Sequence, residues 1–336
     1  MSAIERFLKS TSHSKILYDR ALKSIPGGNT RGVIFYRPYP AYAAKGKGSH
    51  IWDADGNERI DYMLNASVLV LGHAHPKVVA AIKDQLEYGL CLGAPTELEI
   101  KLAEKIIAMV PCVKKVRLAV TGTESCMNVL RIARTYTRKR KVIMFEGYYH
   151  GTADPVTGSQ GTFRSEGIAE DTSKTVVTLP FNDIQKIEMA IKENKDEIAA
   201  VMLEPVMGSG GGIPATKDFL QTCRETTKKN DILLIFDEVQ TGFRLAPGGA
   251  QERFGIIPDL VALGKGVTGG LPGSAYGGRE DIMDDTCSYP DTASSVKTSP
   301  RVPAGGTHNG HPLAMAAGLA HLGELKKPVF EHIDRA

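Results

Sequence analysis

Cysteine is scarce in this chain. Five of its 336 residues are cysteine, and no two of them form a C-x-x-C pair. An odd number excludes a complete set of disulfides within one chain, and a reducing compartment is the natural setting for such a sequence. Residues 1–18 also lack the apolar core of a signal peptide. The sequence therefore predicts a cytoplasmic protein.

Long hydrophobic runs and an excess of one charge are missing as well. No stretch approaches the roughly 18 consecutive apolar residues of a membrane-spanning helix. The 41 basic and 38 acidic residues leave a net charge of +3. That balance is too close to neutral to favour nucleic acid or an anionic membrane surface. We therefore expect neither as a partner.

Motifs for metals and nucleotides are absent too. The histidine pairs within residues 73–75 and 308–311 have no cysteine or carboxylate at ligand spacing. The glycine-rich stretch 208–212 does not match G-x-G-x-x-G, and residues 264–266 lack the spacing and the Ser/Thr of a phosphate-binding P-loop. The sequence thus predicts no metal site.

An alternation of strand and helix patterns is what the chain does contain. Apolar residues recur every three or four positions in some segments, whereas others are short continuous apolar runs. Such alternation predicts an α/β fold with a mostly parallel sheet flanked by helices. Strands are predicted at Lys141–Phe145, Ala199–Leu203, Ile232–Phe236 and Leu260–Leu263, and helices at 97–109, 124–137, 183–193 and 217–228.

The two ends of the chain differ from this pattern. Residues 48–62 predict two short strands around Asp55-Gly56, a hairpin that we place in an N-terminal segment outside the main sheet. Residues 286–306 are rich in Ser, Thr, Pro and Gly and predict a loop, and the chain ends at residue 336 within a predicted helix.

Three charged side chains follow apolar runs where predicted strands end. They are Glu204, Asp237 and Lys265. Ligands of parallel α/β sheets bind beyond the carboxyl ends of the strands, so these three residues are expected to share one crevice.

A phosphate site is predicted separately at the start of the helix 124–137. Thr121 and Glu124 have the spacing of a capping box. The amides of Gly122 and Thr123 then lie at a helix N-terminus, where free N–H groups favour a phosphate.

Six motifs in a fixed order give the chain a family resemblance. They are TGTES, EGYYHG, LEPV, DEVQTGFR, PDLVALGKGVTGGLPGSAYGG and GGTHNGHPLAMAAG. The set resembles the class III, fold type I enzymes that use pyridoxal 5'-phosphate (PLP), most of all the glutamate-1-semialdehyde aminomutase branch, with β-amino-acid aminotransferases close by. The likeness extends from about residue 20 to about residue 325. It implies an N-terminal segment at 1–60, a PLP-binding large domain at 61–325, and the start of a truncated C-terminal small domain at 326–336.

The resemblance also implies roles for individual residues around the cofactor. Lys265 resembles the lysine that binds PLP covalently, and Asp237 the carboxylate that pairs with the ring nitrogen. Val239 corresponds to the residue on one face of the ring, and Tyr149 to the aromatic residue on the other, with His150 beside it.

Further roles concern the edges of the cofactor and the substrate. Gln240 is a candidate for the ring hydroxyl, and Thr307 matches a threonine that reaches the phosphate from a neighbouring subunit, which implies a homodimer with shared active sites. Arg31 resembles an arginine that binds the substrate carboxylate. Glu204 matches the E-P motif of the family.

The activity implied is transfer of an amino group between a carboxylate-bearing amino compound and a carbonyl acceptor. Its substrate is a small molecule, an amino acid or an amino-aldehyde. Gln240 stands where aminomutases often have Met, which favours an aminotransferase. Two alternatives stay open at this point. One is glutamate-1-semialdehyde 2,1-aminomutase itself. The other, suggested by the early end of the chain, is a PLP-binding homologue without catalysis.

Overall fold

A computed structural model of the chain describes residues 1–157, 165–289 and 300–335. The chain divides into two compact units, Met1–Pro76 and Lys77–Ala336. The division suggested by the resemblance, at residues 60 and 325, stays a prediction.

The first unit is small and carries its own sheet. Three antiparallel strands follow two short helices, and a capping box of Ser2 and Glu5 begins the first helix. The predicted hairpin is confirmed, with a turn at Gly56, whose φ of +86° suits glycine. The elements are α1 (Ala3–Ser10), α2 (Ser12–Ala21), β1 (Ala43–Lys47), β2 (His50–Asp53), β3 (Glu58–Ile60) and α3 (Leu64–Ser67), the last a single turn with left-handed φ throughout.

The second unit contains seven strands in one sheet. Its first half comprises α4 (Pro76–Leu86), α5 (Glu97–Met109), β4 (Lys115–Ala119), α6 (Gly122–Thr137), β5 (Lys141–Phe145), α7 (Asp154–Thr157), α8 (Glu170–Ser173), β6 (Val176–Leu179), α9 (Ile184–Asn194) and β7 (Ile198–Leu203). The rest comprises β8 (Val206–Met207), β9 (Ile213–Pro214), α10 (Lys217–Lys229), β10 (Leu233–Glu238), α11 (Gly249–Phe254), β11 (Leu260–Leu263), β12 (Ser274–Gly278), α12 (Glu280–Cys287), α13 (Pro312–Glu324) and α14 (Lys327–Arg335).

The strand order of this sheet is β4-β12-β11-β10-β7-β5-β6, and every neighbouring pair is parallel except the two made by β12. The central strands β7, β10 and β11 are buried along their whole length. Strands covered on both faces are continuous apolar runs, which is why they were predictable from the sequence. The predicted α/β fold with a mostly parallel sheet is confirmed.

Strand β12 was not predicted, because its sequence SAYGG has little of the β-branched character of a strand. The structure gives the reason for the glycines. A Cβ on Gly277 would lie 2.2 Å from the carbonyl oxygen of Lys115, and a Cβ on Gly278 would lie 2.2 Å from that of Asp259. Close approach of neighbouring backbones therefore excludes larger residues here.

The predicted loop at 286–306 is confirmed only in part. Helix α12 continues to Cys287, and residues 290–299 of that prediction lie outside the described residues. Across the described ranges, the structure has no helix that is both long and apolar enough to cross a membrane.

Candidate active site

The site lies at the carboxyl ends of three adjacent parallel strands in the second unit. Asp237 is the fifth residue of β10 and pairs with Ala262 of β11, and its predecessor Phe236 pairs with Leu203 of β7. Glu204 follows β7 directly, and Lys265 comes two residues after β11. The strand register thus places the three charged residues along one edge of the sheet, as the sequence predicted.

Asp237 is buried, with 3% of its surface exposed, and both of its carboxylate oxygens accept hydrogen bonds. Oδ1 accepts from the backbone N–H of Val239 at 2.9 Å. Oδ2 accepts from Nδ1 of His150 at 2.6 Å and from the thiol of Cys126 at 3.4 Å. These donors compensate the cost of burying a charge and fix the orientation of the carboxylate.

The sulfur of Cys126, a ring nitrogen of His150 and a carboxylate oxygen of Asp237 lie within 4.8 Å of one another. Such a separation could also occur among the ligands of a metal ion. The 2.6 Å between Nδ1 and Oδ2 is a hydrogen-bond distance. Two ligands about 2.1 Å from a tetrahedral zinc ion are separated by roughly 3.4 Å, so the observed geometry is that of a hydrogen-bonded network.

Glu204 connects two loops that line the site. Its Oε1 accepts from the backbone N–H of Tyr149 at 2.9 Å, and its Oε2 accepts from that of Gly208 at 3.1 Å. Burial raises the pKa of Glu204, and the nearby charge of Asp237 adds to that effect. The E-P motif therefore holds the loop after β5 against the turn between β8 and β9.

Lys265 has an unusual backbone and an unusual amine. Its φ of +42° is left-handed, a costly conformation for a residue with a side chain. Its Nζ donates to Oε1 of Gln240 at 3.3 Å. Burial lowers the pKa of Lys265 below the ordinary 10.5, and the charges of Asp237 and Glu204 partly oppose that shift. A larger fraction of the amine is therefore neutral, and the neutral amine is the nucleophilic form.

The influence of Glu204 on Lys265 can be tested through pH. Because a nearby negative charge favours the protonated amine, Glu204→Gln should lower the pKa of Lys265 further. We expect the rate at which the apoprotein captures PLP to rise with pH through a midpoint below 10.5, and that midpoint to move to lower pH in the variant. Absorbance stopped-flow across pH measures it. Glu197→Gln, which removes an exposed carboxylate paired with Lys141, is the matched control, and a midpoint that moves upward would contradict the assignment.

The helix α6 begins beside this cluster. Thr121 Oγ1 accepts from the N–H of Glu124 at 3.2 Å, and Glu124 Oε2 accepts from the N–H of Thr121 at 2.9 Å, so the predicted capping box is confirmed. Gly122 and Thr123 occupy the first turn, before the first intrahelical bond from Ser125. Their amides are the free donors of a helix N-terminus, which suits a phosphate.

The loop that contains Gly151 and Thr152 contacts the start of α6. The backbone N–H of Thr152 donates to Oγ1 of Thr123 at 3.3 Å, and Gly151, with φ of +101°, lies so close that a Cβ there would be 2.4 Å from the same oxygen. The Thr123 hydroxyl hydrogen can still be donated to a phosphate oxygen.

Val239 lies between two glycines. A Cβ on Gly122 would lie 2.8 Å from its Cγ1, and a Cβ on Gly264 would lie 3.0 Å from the same atom. The side chain of Val239 is stiff, since it rotates about one bond only. The absence of side chains at both glycines allows Val239 to pack directly against the start of α6 and the end of β11.

Gly122→Ala should disturb this arrangement. The added methyl group must displace Val239 or the helix start, a form of overpacking that costs about 1–3 kcal/mol. We expect roughly tenfold weaker PLP binding, measured by equilibrium titration, with partial recovery in the double variant Gly122→Ala/Val239→Ala. Gly323→Ala on α13 is the control, because a Cβ there meets nothing within 4 Å. Unchanged affinity in Gly122→Ala would show that the glycine is not needed for close approach.

The remaining predicted site residues lie in three different segments of the chain. Tyr149 is half-buried, whereas Tyr148 is buried and stacks on His150, with ring centroids 4.8 Å apart. Thr307 is exposed in the turn that precedes α13. Arg31 belongs to the first unit, where its guanidinium donates to Oδ1 of Asn65. The stacking role of Tyr149 and the roles of Thr307 and Arg31 stay predictions.

The donor set of the second unit fits PLP. A buried carboxylate suits a protonated pyridine nitrogen, a lysine with a lowered pKa suits an aldehyde, and a helix N-terminus suits a phosphate. Nε2 of His150 is buried and has no hydrogen-bond partner among the described residues.

Sequence reasoning missed two side chains of this network. The histidine was expected beside an aromatic ring, and its bond to Asp237 was not foreseen because the two residues are 87 positions apart. Cys126 was treated as one of five scattered cysteines. Its position one turn into the helix after TGTES was the available signal, since that turn faces the strand ends.

Comparison with known proteins gives the site a family. The family model of class III aminotransferases matches residues 35–335. A glutamate-1-semialdehyde 2,1-aminomutase of Methanosarcina acetivorans is 46% identical, over 94% of this chain and 73% of the relative. Among solved structures, an omega-transaminase of Sphaerobacter thermophilus is 38% identical with a TM-score of 0.89, over 97% of this chain and 75% of the other, and a transaminase with PLP bound is 34% identical with the same TM-score, over 97% and 76%. The chain belongs to the class III aminotransferases, which are PLP-dependent enzymes of fold type I.

Proposed function

We propose that this chain transfers an amino group between a carboxylate-bearing amino compound and a carbonyl acceptor, with Lys265 as the residue that binds PLP. One observation carries the proposal: two residues lie at the same edge of the sheet. One is a lysine whose pKa is lowered by burial, and the other is a buried, hydrogen-bonded aspartate. When bound, PLP supplies an electrophilic aldehyde and a ring that withdraws electrons from the carbon next to the amine.

The residues of the chain then have separate tasks. Nζ of Lys265 would hold the cofactor through its aldehyde, with loss of water, and the same amine would accept and return the proton of the substrate carbon. Asp237 would keep the ring nitrogen protonated through its charge, and the first turn of α6, at Gly122 and Thr123, would bind the phosphate. Gln240, whose Oε1 accepts from Nζ of Lys265 at 3.3 Å, would donate its amide N–H to the ring hydroxyl.

The substrate and the assembly are part of the same proposal. Arg31 binds the substrate carboxylate, because a guanidinium can donate two parallel hydrogen bonds to it. The chain would form a homodimer with shared active sites, in which Thr307, exposed in the single chain, would contact the phosphate bound in the neighbouring subunit. Five free cysteines support a reducing, cytoplasmic location.

A second candidate is the isomerase reaction of the Methanosarcina relative, which is favoured by an identity above that of the transaminases compared. In that reaction glutamate-1-semialdehyde becomes the isomer with its amine on the neighbouring carbon. The same residues serve both reactions, because each moves one proton at Lys265 and one amine through the cofactor. They differ in whether a separate acceptor is needed.

One experiment separates the two candidates. Purified holoprotein in its amine-loaded form is incubated with glutamate-1-semialdehyde alone, and separately with a panel of α- and β-amino acids plus 2-oxoglutarate or pyruvate. Chromatography with mass detection follows the products. Turnover only with a donor and an acceptor supports the aminotransferase, and multiple turnovers to the isomer without an acceptor support the aminomutase. No turnover in either would contradict both and leave a PLP-binding homologue without catalysis.

A further inference from the structure

The thiol of Cys126 lies against the carboxylate at the centre of the site. Its Sγ is 3.4 Å from Oδ2 of Asp237, and the two side chains are 1% and 3% exposed. Cys126 belongs to the first turns of α6, the helix whose N-terminus carries Gly122 and Thr123. One helix therefore contacts both the predicted phosphate site and the predicted partner of the ring nitrogen.

The thiol acts as a donor in this contact. An ionised carboxylate only accepts hydrogen bonds, so the hydrogen between the two atoms belongs to sulfur. Burial, followed by the charge of Asp237, raises the pKa of the Cys126 thiol well above its ordinary value of 9.0. The thiol therefore keeps its hydrogen at neutral pH.

A buried cysteine usually serves only as a small apolar side chain. Cys126 does pack in the hydrophobic core beside Val129 and Leu130. It differs from the other four cysteines, all of which lie within the described residues, because it alone has its thiol hydrogen-bonded to a carboxylate. Cys223, which is equally buried in α10, shows what a purely apolar role looks like.

We infer that Cys126 is a positioning residue for Asp237: its S–H and Nδ1–H of His150 together hold Oδ2, so that Oδ1 is presented to the ring nitrogen. Two donors on one oxygen prevent rotation of the carboxylate. They leave on Oδ1 one acceptor position beyond that used by the N–H of Val239. The inference rests on the proposed function, in which Asp237 pairs with the ring.

Binding of pyridoxamine phosphate tests this inference without requiring turnover or a bond to Lys265. Cys126→Ala removes the donor, and Cys126→Ser restores one as a hydroxyl. A hydrogen bond to a charged group contributes about 1.5–3 kcal/mol and a thiol donor less, so we expect roughly three- to tenfold weaker binding in the alanine variant. The serine variant should bind within about twofold of the wild type, and Cys223→Ala, the matched control, should leave affinity unchanged.

Infrared spectroscopy of the protein in solution gives an independent readout. The S–H stretching band that disappears in Cys126→Ala belongs to this thiol, and a hydrogen-bonded thiol absorbs at lower frequency than a free one. Asp237→Asn should move that band to higher frequency, because the amide oxygen is a weaker acceptor than a carboxylate.

The outcomes are distinguishable. Equal affinities of wild type and Cys126→Ala, or a band that does not move in Asp237→Asn, would overturn the positioning role and leave Cys126 as packing. If Asp237→Asn itself left the affinity for pyridoxamine phosphate unchanged, the proposed pairing of Asp237 with the ring would fail as well. Loss of affinity in both Cys126→Ala and Asp237→Asn, with recovery in Cys126→Ser, supports the inference.

Discussion

Lys265→Ala is expected to lower the rate of amine transfer by on the order of 10⁴-fold or more. The substitution removes both the nucleophile for the PLP aldehyde and the base for the substrate proton, and positioned proton transfer alone contributes about 10²–10⁴-fold. The loss is measured as the rate of product formation under saturating PLP, with the donor identified in the panel assay. Near-normal turnover would contradict the assignment of Lys265.

Two companion measurements make this result specific to the amine. Lys265→Arg keeps a positive charge and much of the side-chain volume, but a guanidinium does not lose its proton in proteins, so it should be as inactive as the alanine variant. A small amine such as methylamine, added to Lys265→Ala, should restore part of the proton transfer by occupying the space of the missing side chain. Both variants should still bind pyridoxamine phosphate, which shows that the site has folded.

Asp237→Asn is expected to give the second largest effect, a loss of roughly 10²–10³-fold in turnover. The amide keeps the shape of the side chain but removes the charge that stabilises a protonated ring nitrogen, and loss of one electrostatic partner at a reaction centre typically costs this much. Affinity for pyridoxamine phosphate should fall as well. Steady-state kinetics and equilibrium titration measure the two losses, and a variant with full activity would exclude the ring-nitrogen role.

Glu238 is the matched control for this substitution. It is the next residue of β10, equally buried, and its pKa is raised by burial. Successive residues of a strand point to opposite faces. The carboxylate of Glu238 accordingly contacts the loop beyond β10 and helix α11, accepting from Thr241 Oγ1 at 3.0 Å and from Gln251 Nε2 at 3.1 Å. Glu238→Gln should lower the unfolding temperature with little effect on affinity for pyridoxamine phosphate. Asp237→Asn should lower that affinity with little effect on the unfolding temperature.

The parts of the structure that the sequence predicted are those set by local patterns. Strands such as Lys141–Phe145 and Leu260–Leu263 agree with the prediction because buried parallel strands are continuous apolar runs. The helix predicted at 124–137 begins at Gly122, as its capping box implies. The grouping of Glu204, Asp237 and Lys265 followed from one topological rule about strand ends.

The parts that were missed depend on contacts between distant residues. Strand β12 has few strand-forming residues, and its glycines are explained only by the approach of the backbones at Lys115 and Asp259. The bonds from His150 and Cys126 to Asp237 join positions 87 and 111 residues apart, and no local pattern encodes them. The family resemblance named His150 but gave it a place beside the ring, whereas the geometry adds a bond to the carboxylate.

The lysine that binds PLP can be located by chemical labelling. The holoprotein is reduced with borohydride, which makes the lysine–PLP bond permanent, and is then digested and mapped by mass spectrometry. We expect one modified peptide, with the added mass on Lys265, and none in Lys265→Ala. A modification on another lysine, or unchanged labelling in that variant, would contradict this expectation.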